Sequence, residues 1–545
     1  MTFTLPPMDS EQPPAFTDAT GCKVWLERAP QANAVQMQAL LLRQINLLNR
    51  FQIPANDRLA ILELLRPAVH AAQEEIAKRF SGRPLPLAPP EQAAFESCRT
   101  LWNALGAGYL RCLESSLNKD SISRDRAVRS AQRALATLAM MQIDFYRASR
   151  QAEREHWRLV HEIFSLAEEF GVAGTAVEDP LRQGSLPSSP LAAWSEILLL
   201  QIASPHELSH RQMNWMARWA RRWSVKTALF RSAPPLDGRS FPLCVDLLSD
   251  QPASYLPRSG EGARWLDVGD LRHSIKKRLA MLESGAKPAE LQLGDDCTQP
   301  ACGDLLKQLY LRWCKGGIAR RHERRPVSNG CQFIGGLEAI HYYLSGRKRF
   351  EQPGMPDLDR LRREREQMAT FGRNGAPGEV TQSIELGYMK EQWQVVENWR
   401  MLDESASGMR ITRSLSRNGV RVGNGLLVAV QPDDAREPLL GMVRWVMLEG
   451  NDALSAGINI FAGKPEAVAL RTSGLEIGND RWHQGFLLPE VAIVNQPPSL
   501  ITPIGWYRRD RIIEIYAENQ PIKLRVTGIL ERGFDFERLS WQQIT

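Results

Sequence analysis

The chain has 545 residues, 43% of them hydrophobic and 24% charged, with a formal net charge of +6. That length predicts several domains with real cores. The small charge excludes a dedicated nucleic-acid binder while leaving room for a local basic site that takes an anion. No apolar run approaches the roughly 18–20 residues a membrane helix needs. Residues 1–17 are Pro-rich and lack a positive start followed by an apolar stretch, so a secretory signal is not expected and a cytoplasmic protein is.

Residues 1–20 are expected to be a disordered tail, and 21–223 a helical domain. Met37, Leu41, Ile45 and Leu48 recur at helical spacing, and Phe95, Cys98, Trp102, Leu105, Tyr109 and Cys112 alternate steps of three and four. Val128, Leu135, Leu138 and Phe145 continue the pattern, as do Trp157, Val160, Phe164 and Ala167. Pro-rich stretches at 83–90 and 184–190 separate these helices, and Pro67 is expected to kink or divide the run that holds it. Amphipathic helices of this length pack as a bundle or a short α-solenoid. Cys98 and Cys112 on apolar stripes read as reduced core thiols.

Residues 224–316 read as a small mixed α/β module, with strands over 224–232 and 241–247 and helices over 270–282 and 302–313. From 317 to 470 the pattern becomes β. A short helix at 336–344, a charged helix at 357–368 and a Gly-rich loop at 372–378 precede strands at 392–400, 409–413, 425–430, 441–448 and 456–461. Five short strands with tight turns suggest a small antiparallel barrel. The tail, 471–545, reads as a further β module with strands at 485–493, 511–516 and 522–529, and Asn519-Gln520-Pro521 is expected to turn the last hairpin. The fold class is therefore multidomain α+β.

Two short motifs carry chemistry. One is Arg320-Arg321-His322-Glu323-Arg324-Arg325. The other is Asp403-Glu404-Ser405-Ala406-Ser407-Gly408. Guanidinium groups grip the adjacent O6 and N7 acceptors of guanine, stack on purines and make charge-assisted bonds to phosphate. A carboxylate accepts from guanine N–H groups, a hydroxyl bonds phosphate or base, and glycine allows close backbone approach. An Arg-x-x-x-Arg pair followed by Asp-x-Ser-x-x-Gly before strands resembles the signature of PilZ domains, which bind cyclic di-GMP. The resemblance covers about 318–465. It includes 441–446, similar to a core barrel strand, and 456–461, similar to the closing strand.

This resemblance implies an atypical, expanded PilZ-like barrel. Its ligand residues would be Arg320, Arg321, Arg325, Asp403, Ser405 and Gly408, with Arg320 and Arg324 as an alternative arginine frame. Arg325 and Asp403 stand 78 positions apart, far more than in a simple domain of this kind, so an insertion at 336–391 is implied. The expected function is a bacterial cyclic di-GMP receptor that passes binding to a protein partner through its helical region. No catalysis, metal, cofactor or DNA partner is implied, and the outputs would be motility or biofilm behaviour. A ligand-independent scaffold is the alternative, and a zinc metallohydrolase using His206, Glu207 and His210 is a third reading.

Other patterns have bland readings. His206-Glu207-Leu208-Ser209-His210 is a literal HExxH, the zinc-hydrolase spacing. Yet Ser204 as N-cap with Glu207 three residues later makes a capping box. Cys297, Cys302, Cys314 and His322 lack the tight pair of a zinc site. Trp215, Trp219 and Trp223 form an i, i+4, i+8 row, expected to pack in a core rather than to stack on nucleic acid.

Overall fold

The computed structural model describes residues 5–116, 121–182, 187–234, 242–256, 258–316, 323–353, 365, 396–415, 419–450, 452–473, 481–517 and 520–544. The chain divides into two compact units. One comprises Met1–Arg83 and Leu87–Arg320, the other Pro84–Pro86 and Arg321–Thr545.

The first unit is built on helices α1 (Ala19–Arg28), α2 (Ala34–Arg50), α3 (Ala55–Ala77), α4 (Pro89–Glu114), α5 (Ser121–Arg147), α6 (Arg154–Glu169), α7 (Pro190–Ile202) and α8 (His210–Trp223). The apolar stripes anticipated them: Phe95, Cys98, Trp102, Leu105, Tyr109 and Cys112 are all buried along α4. Helix α4 packs on α3 and α5, and α5 packs on α6 and α7. Helix α3 is not divided at Pro67, which lies inside it. Leu65 and Val69, fully buried on either side, offset the roughly 3 kcal/mol a helical proline costs. From residue 5 on, the segment expected as a tail makes contacts: Phe16 is buried, and the Ala15 N–H donates to Gln44 Oε1 at 2.8 Å.

Strands β1 (Ala228–Phe230), β2 (Leu243–Asp246) and β3 (Ala263–Asp267) form an antiparallel sheet in the order β1-β3-β2, followed by α9 (Gly269–Glu283) and α10 (Ala301–Cys314). Strand β3 escaped the sequence reading. The stretch 224–316 shares a single hydrophobic core with the preceding helices, continuous from Phe16 to Cys314.

The second unit contains two antiparallel barrels. The first is made of β4 (Arg325–Pro326), β5 (Gly330–Gly335), β6 (Val396–Ser405), β7 (Gly408–Ser414), β8 (Leu427–Pro432), β9 (Leu439–Glu449) and β10 (Ala453–Ile460), with helix α11 (Leu337–Leu344) between β5 and β6. Their order is β4-β6-β5-β8-β9-β10-β7, and a β6–β7 pairing closes six of them into a ring. The second barrel is closed in the order β11 (Glu466–Thr472), β12 (His483–Leu488), β13 (Ser499–Pro503), β16 (Phe536–Gln543), β15 (Gln520–Arg532), β14 (Ile512–Ala517). Closure removes the exposed edges that antiparallel sheets otherwise present. The two barrels share a core in which Ile340 of α11 and Leu440 of β9 meet Phe486 and Phe536. Gln520 and Pro521 begin β15 and pair back to β14, but that is not the last hairpin, because β15 turns once more into β16. The charged helix at 357–368 and the loop at 372–378 fall outside the described residues.

Candidate functional site

The 78 positions between the two motifs are closed by strand pairing. Arg325 stands opposite Glu404 and Pro326 opposite Asp403 in the β4–β6 ladder. The Val327 N–H donates to Leu402 O at 3.1 Å, and the Met401 N–H to Asn329 O at 2.8 Å. Strand β5 then continues along the same side of β6, from Gly330 opposite Arg400 to Ile334 opposite Val396. The long excursion after β5 therefore starts and ends on neighbouring strands, which is why it separates the motifs in sequence and not in space.

Side-chain alternation divides the barrel wall into rows. Met401, Ile411, Ala456 and Val446 stand in register across β6, β7, β10 and β9 and are all buried, so this row fills the barrel. The next row follows a register shift between Met401 and Asp403, and consists of Asp403, Arg410, Gly457 and Trp445. It lies on the outer face. Here Arg324 Nη1 donates to Asp403 Oδ1 at 2.5 Å, with the two side chains 28% and 21% exposed. Arg410 donates to the Glu449 carboxylate, and its guanidinium lies 6.0 Å from the centre of the Trp445 ring. The indole lies across Gly457, where a Cβ would come within 2.1 Å of its Nε1. The result is a charged, half-exposed strip with one aromatic surface, suited to an anionic ligand carrying planar rings.

The Asp-x-Ser-x-x-Gly motif forms the β6–β7 hairpin, with Ser405 opposite Gly408. The Ser405 hydroxyl donates to Gly408 O at 3.1 Å. Gly408 is needed for close approach rather than for a left-handed turn, since its φ is not positive and an added Cβ would stand 2.4 Å from Ile458 O on β10. Gly408→Ala is expected to cost about 1–3 kcal/mol by forcing β7 and β10 apart; a thermal midpoint unchanged from wild type would refute this.

Of the residues singled out in the sequence, Asp403, Ser405, Gly408 and Arg325 lie together at this hairpin. Arg320 and Arg321 lie outside the described residues. Arg325 is exposed, one position off the row of Asp403, and it is Arg324 that bonds the carboxylate. Arg410, Trp445 and Gly457 escaped sequence reading. They sit on strands that were anticipated, but only the register across four strands aligns them with Asp403.

The competing patterns resolve into structure. His206 and His210 do not share a helix. Residues Pro205–Glu207 form a 3₁₀ turn, and α8 starts at His210. The capping box belongs to Ser209 and Gln212, not to Ser204 and Glu207; Ser204 is left-handed with φ 52. The Glu207 carboxylate accepts from Arg312 Nη2 at 2.7 Å. Burial drives the His206 imidazole down to about 4, and its ring meets Tyr146 edge-on at 5.4 Å. Among the described residues no group of three metal-ligating side chains converges. The eight cysteines are buried and free. Trp215, Trp219 and Trp223 are buried and stacked in sequence, with centroids 6.4 and 6.0 Å apart, and Trp313 closes the row edge-on at 6.2 Å.

Together these features define a multidomain α+β protein: a helical unit, then two antiparallel barrels, the first presenting an arginine–aspartate strip. Comparison with known families places it more narrowly. Residues 20–233 match the model described as "Cyclic-di-GMP receptor FimW, N-terminal domain", and 468–544 match the "FimW C-terminal beta-barrel domain". The chain is 25% identical over 540 residues to the cyclic-di-GMP receptor FimW of Pseudomonas aeruginosa, covering 91% of this chain and 86% of that protein. The two models match in chain order, and the chain is similar to the FimW receptors at both ends. Neither model covers the first barrel, where the two sequence motifs meet. Among the described residues no helix is long and apolar enough to cross a membrane.

Proposed function

We propose that this chain is a cytoplasmic receptor for cyclic di-GMP that binds without turnover and signals to a protein partner through its helical unit, with motility or biofilm behaviour as the output. The observation that carries the reading is the Arg324–Asp403 contact, which joins two motifs 78 positions apart on one strand pair. The name of the Pseudomonas relative supports the same ligand. Arg324 and Arg325 supply guanidinium groups for guanine and phosphate. Asp403 accepts from guanine N–H groups, Ser405 adds a hydroxyl, and Gly408 keeps the hairpin tight. Arg320 and Arg321 enter by sequence alone.

The Arg324–Asp403 pair suggests how binding is coupled. Both partners are about a quarter exposed, so the pair is worth at most about 1 kcal/mol. A ligand that offers phosphate to Arg324 and N–H donors to Asp403 replaces one weak pair with two charge-assisted contacts. The freed Arg324 then turns to the ligand, and that rearrangement is what a partner reads. Calorimetry with cyclic di-GMP tests the assignment. Asp403→Ala and Arg324→Ala are each expected to weaken binding about 10- to 100-fold, as loss of a charged hydrogen bond does, and Ser405→Ala by less. Affinities equal to wild type in the first two variants would remove the site from this strip.

A further inference from the structure

Helix α9 carries two unlike faces. Leu271, Ile275 and Leu282 are buried in the core. His273, Ser274, Lys277 and Arg278 recur at three- and four-residue steps on another face, and this face lines a cavity of about 610 Å³. Lys226, just beyond α8, and the turn at Gln292 complete the wall. A polar helix face usually meets bulk water; this one turns into a concavity.

Two of the cations in that cavity share one side-chain acceptor, and Arg278 Nη1 also donates to Ser274 O at 3.2 Å. Lys226 Nζ donates to Ser274 Oγ at 2.9 Å, and Arg278 Nη1 donates to the same oxygen at 2.8 Å. One hydroxyl thus serves two positive groups. Arg278 is fixed in place by Leu291 O, which accepts from its Nε at 3.1 Å, and by the Trp223 ring 5.4 Å away. Arg222 stands beside them, donating to the side chain of Gln292. Among the described residues no carboxylate forms an ion pair with Arg222, Lys226, Lys277 or Arg278. Two acids do line the cavity, Asp270 and Glu290, and the Glu290 carboxylate accepts from the backbone of Lys287. Burial first, and then the neighbouring charges of Arg278 and Arg222, lower the Lys226 ammonium from its ordinary range, with Asp270 acting the other way. Burial and the charge of Arg222 do the same to Arg278.

We propose that this cavity binds the phosphoryl group of a small phosphorylated molecule, with Lys226, Lys277 and Arg278 as its charged donors and Ser274 and His273 beside them. A phosphoryl dianion brings several strong acceptors to a place where positive groups share one hydroxyl. Bound phosphate takes the ammonium and guanidinium bonds and leaves the Ser274 hydroxyl free to donate. The concave wall fits a small ligand rather than an extended polyanion.

Inorganic pyrophosphate is the probe, added to the full chain at ionic strength matched with sodium chloride. A ligand that binds only the folded state raises the thermal midpoint with concentration. The expected result is a saturable rise with pyrophosphate that chloride does not give, lost in a Lys226→Gln, Lys277→Gln double variant and kept in Arg324→Ala, which separates this cavity from the barrel strip. If the double variant fails to fold, Lys277→Gln alone is expected to weaken pyrophosphate binding by about tenfold in calorimetry. Equal midpoints in pyrophosphate and chloride, or an undiminished response in the lysine variants, would overturn the proposal.

Discussion

Asp179→Ala is expected to cost the protein about 3–5 kcal/mol of stability, the range for removing one partner of a buried ion pair. The Asp179 carboxylate accepts two parallel bonds from Arg66, at 2.6 and 3.0 Å, and lies 3.6 Å from the guanidinium of Arg133. The side chains of Arg66, Asp179 and Arg133 are 5%, 1% and 1% exposed. Burial pushes the carboxyl up, but the Arg66 bonds and the charges of Arg66 and Arg133 overcome it and hold Asp179 below the ordinary range. Without that carboxylate, Arg133 keeps Glu63 at 2.9 Å, while Arg66 stays buried with no equivalent partner. The contrast is Lys464→Ala. Its bond to Glu437 joins side chains 75% and 62% exposed, and its loss should cost under about 1 kcal/mol. Urea denaturation followed by tryptophan fluorescence checks both, and a midpoint for Asp179→Ala equal to that of Lys464→Ala would show that the network is not structural.

Acid should unfold the helical unit well above the pH at which carboxylates titrate. Burial lowers His70 to about 3, with Arg66 and Arg221 adding to it, and lowers His156 to about 3 with a small contribution from His161. Burial likewise takes His161 to about 4, against its bond to Gln251 O, and His206 to about 4. Each folded value lies below the ordinary histidine value near 6.5. Their contribution to stability is therefore complete above pH 6.5 and is lost as pH falls toward 3–4. Each group removes up to about 1.4 kcal/mol per pH unit. Asp144 opposes them. Burial raises its carboxyl to about 6 in spite of Arg147 and Trp102, so its contribution grows as pH falls through 6 toward 3.8. One acid against four histidines leaves a net loss on the order of 5 kcal/mol by pH 5, comparable to the whole stability of many domains. Circular dichroism against pH is expected to show cooperative loss of helix between about pH 6 and 4.5. His156 has no hydrogen bond on either ring nitrogen and sits edge-on to Phe145 at 6.5 Å, so His156→Phe is expected to move the transition to lower pH. Intact helix at pH 4 would contradict the account.

How far the sequence discloses the fold depends on how local each element's cause is. Helix α4 was legible because its six apolar residues follow the helical period, a pattern local to the helix itself. Strands β7 to β10 were legible because β-branched and aromatic residues alternate between turn residues. Strand β11 reads EAVALRT and β16 reads FERLSWQQ, compositions with little β-branching. They are strands because closing the second barrel buries Leu470, Phe536 and Leu539, a non-local cause. At the proposed site, the grouping of Asp403, Ser405 and Gly408 on one hairpin was legible as a motif. The contact of Arg324 with Asp403 was not, because one residue of register moves a side chain to the opposite face and the register belongs to a pairing with a strand distant in sequence.

Calorimetric titration of the full wild-type chain with cyclic di-GMP, beside cyclic di-AMP at the same ionic strength, tests the central claim most directly. Arginines reading guanine O6 and N7 meet an amino donor in place of the O6 acceptor on adenine, a difference worth about 1–3 kcal/mol per base. The account predicts saturable heat for cyclic di-GMP and binding at least about tenfold weaker for cyclic di-AMP. No heat with cyclic di-GMP, or equal affinity for the two, would contradict it.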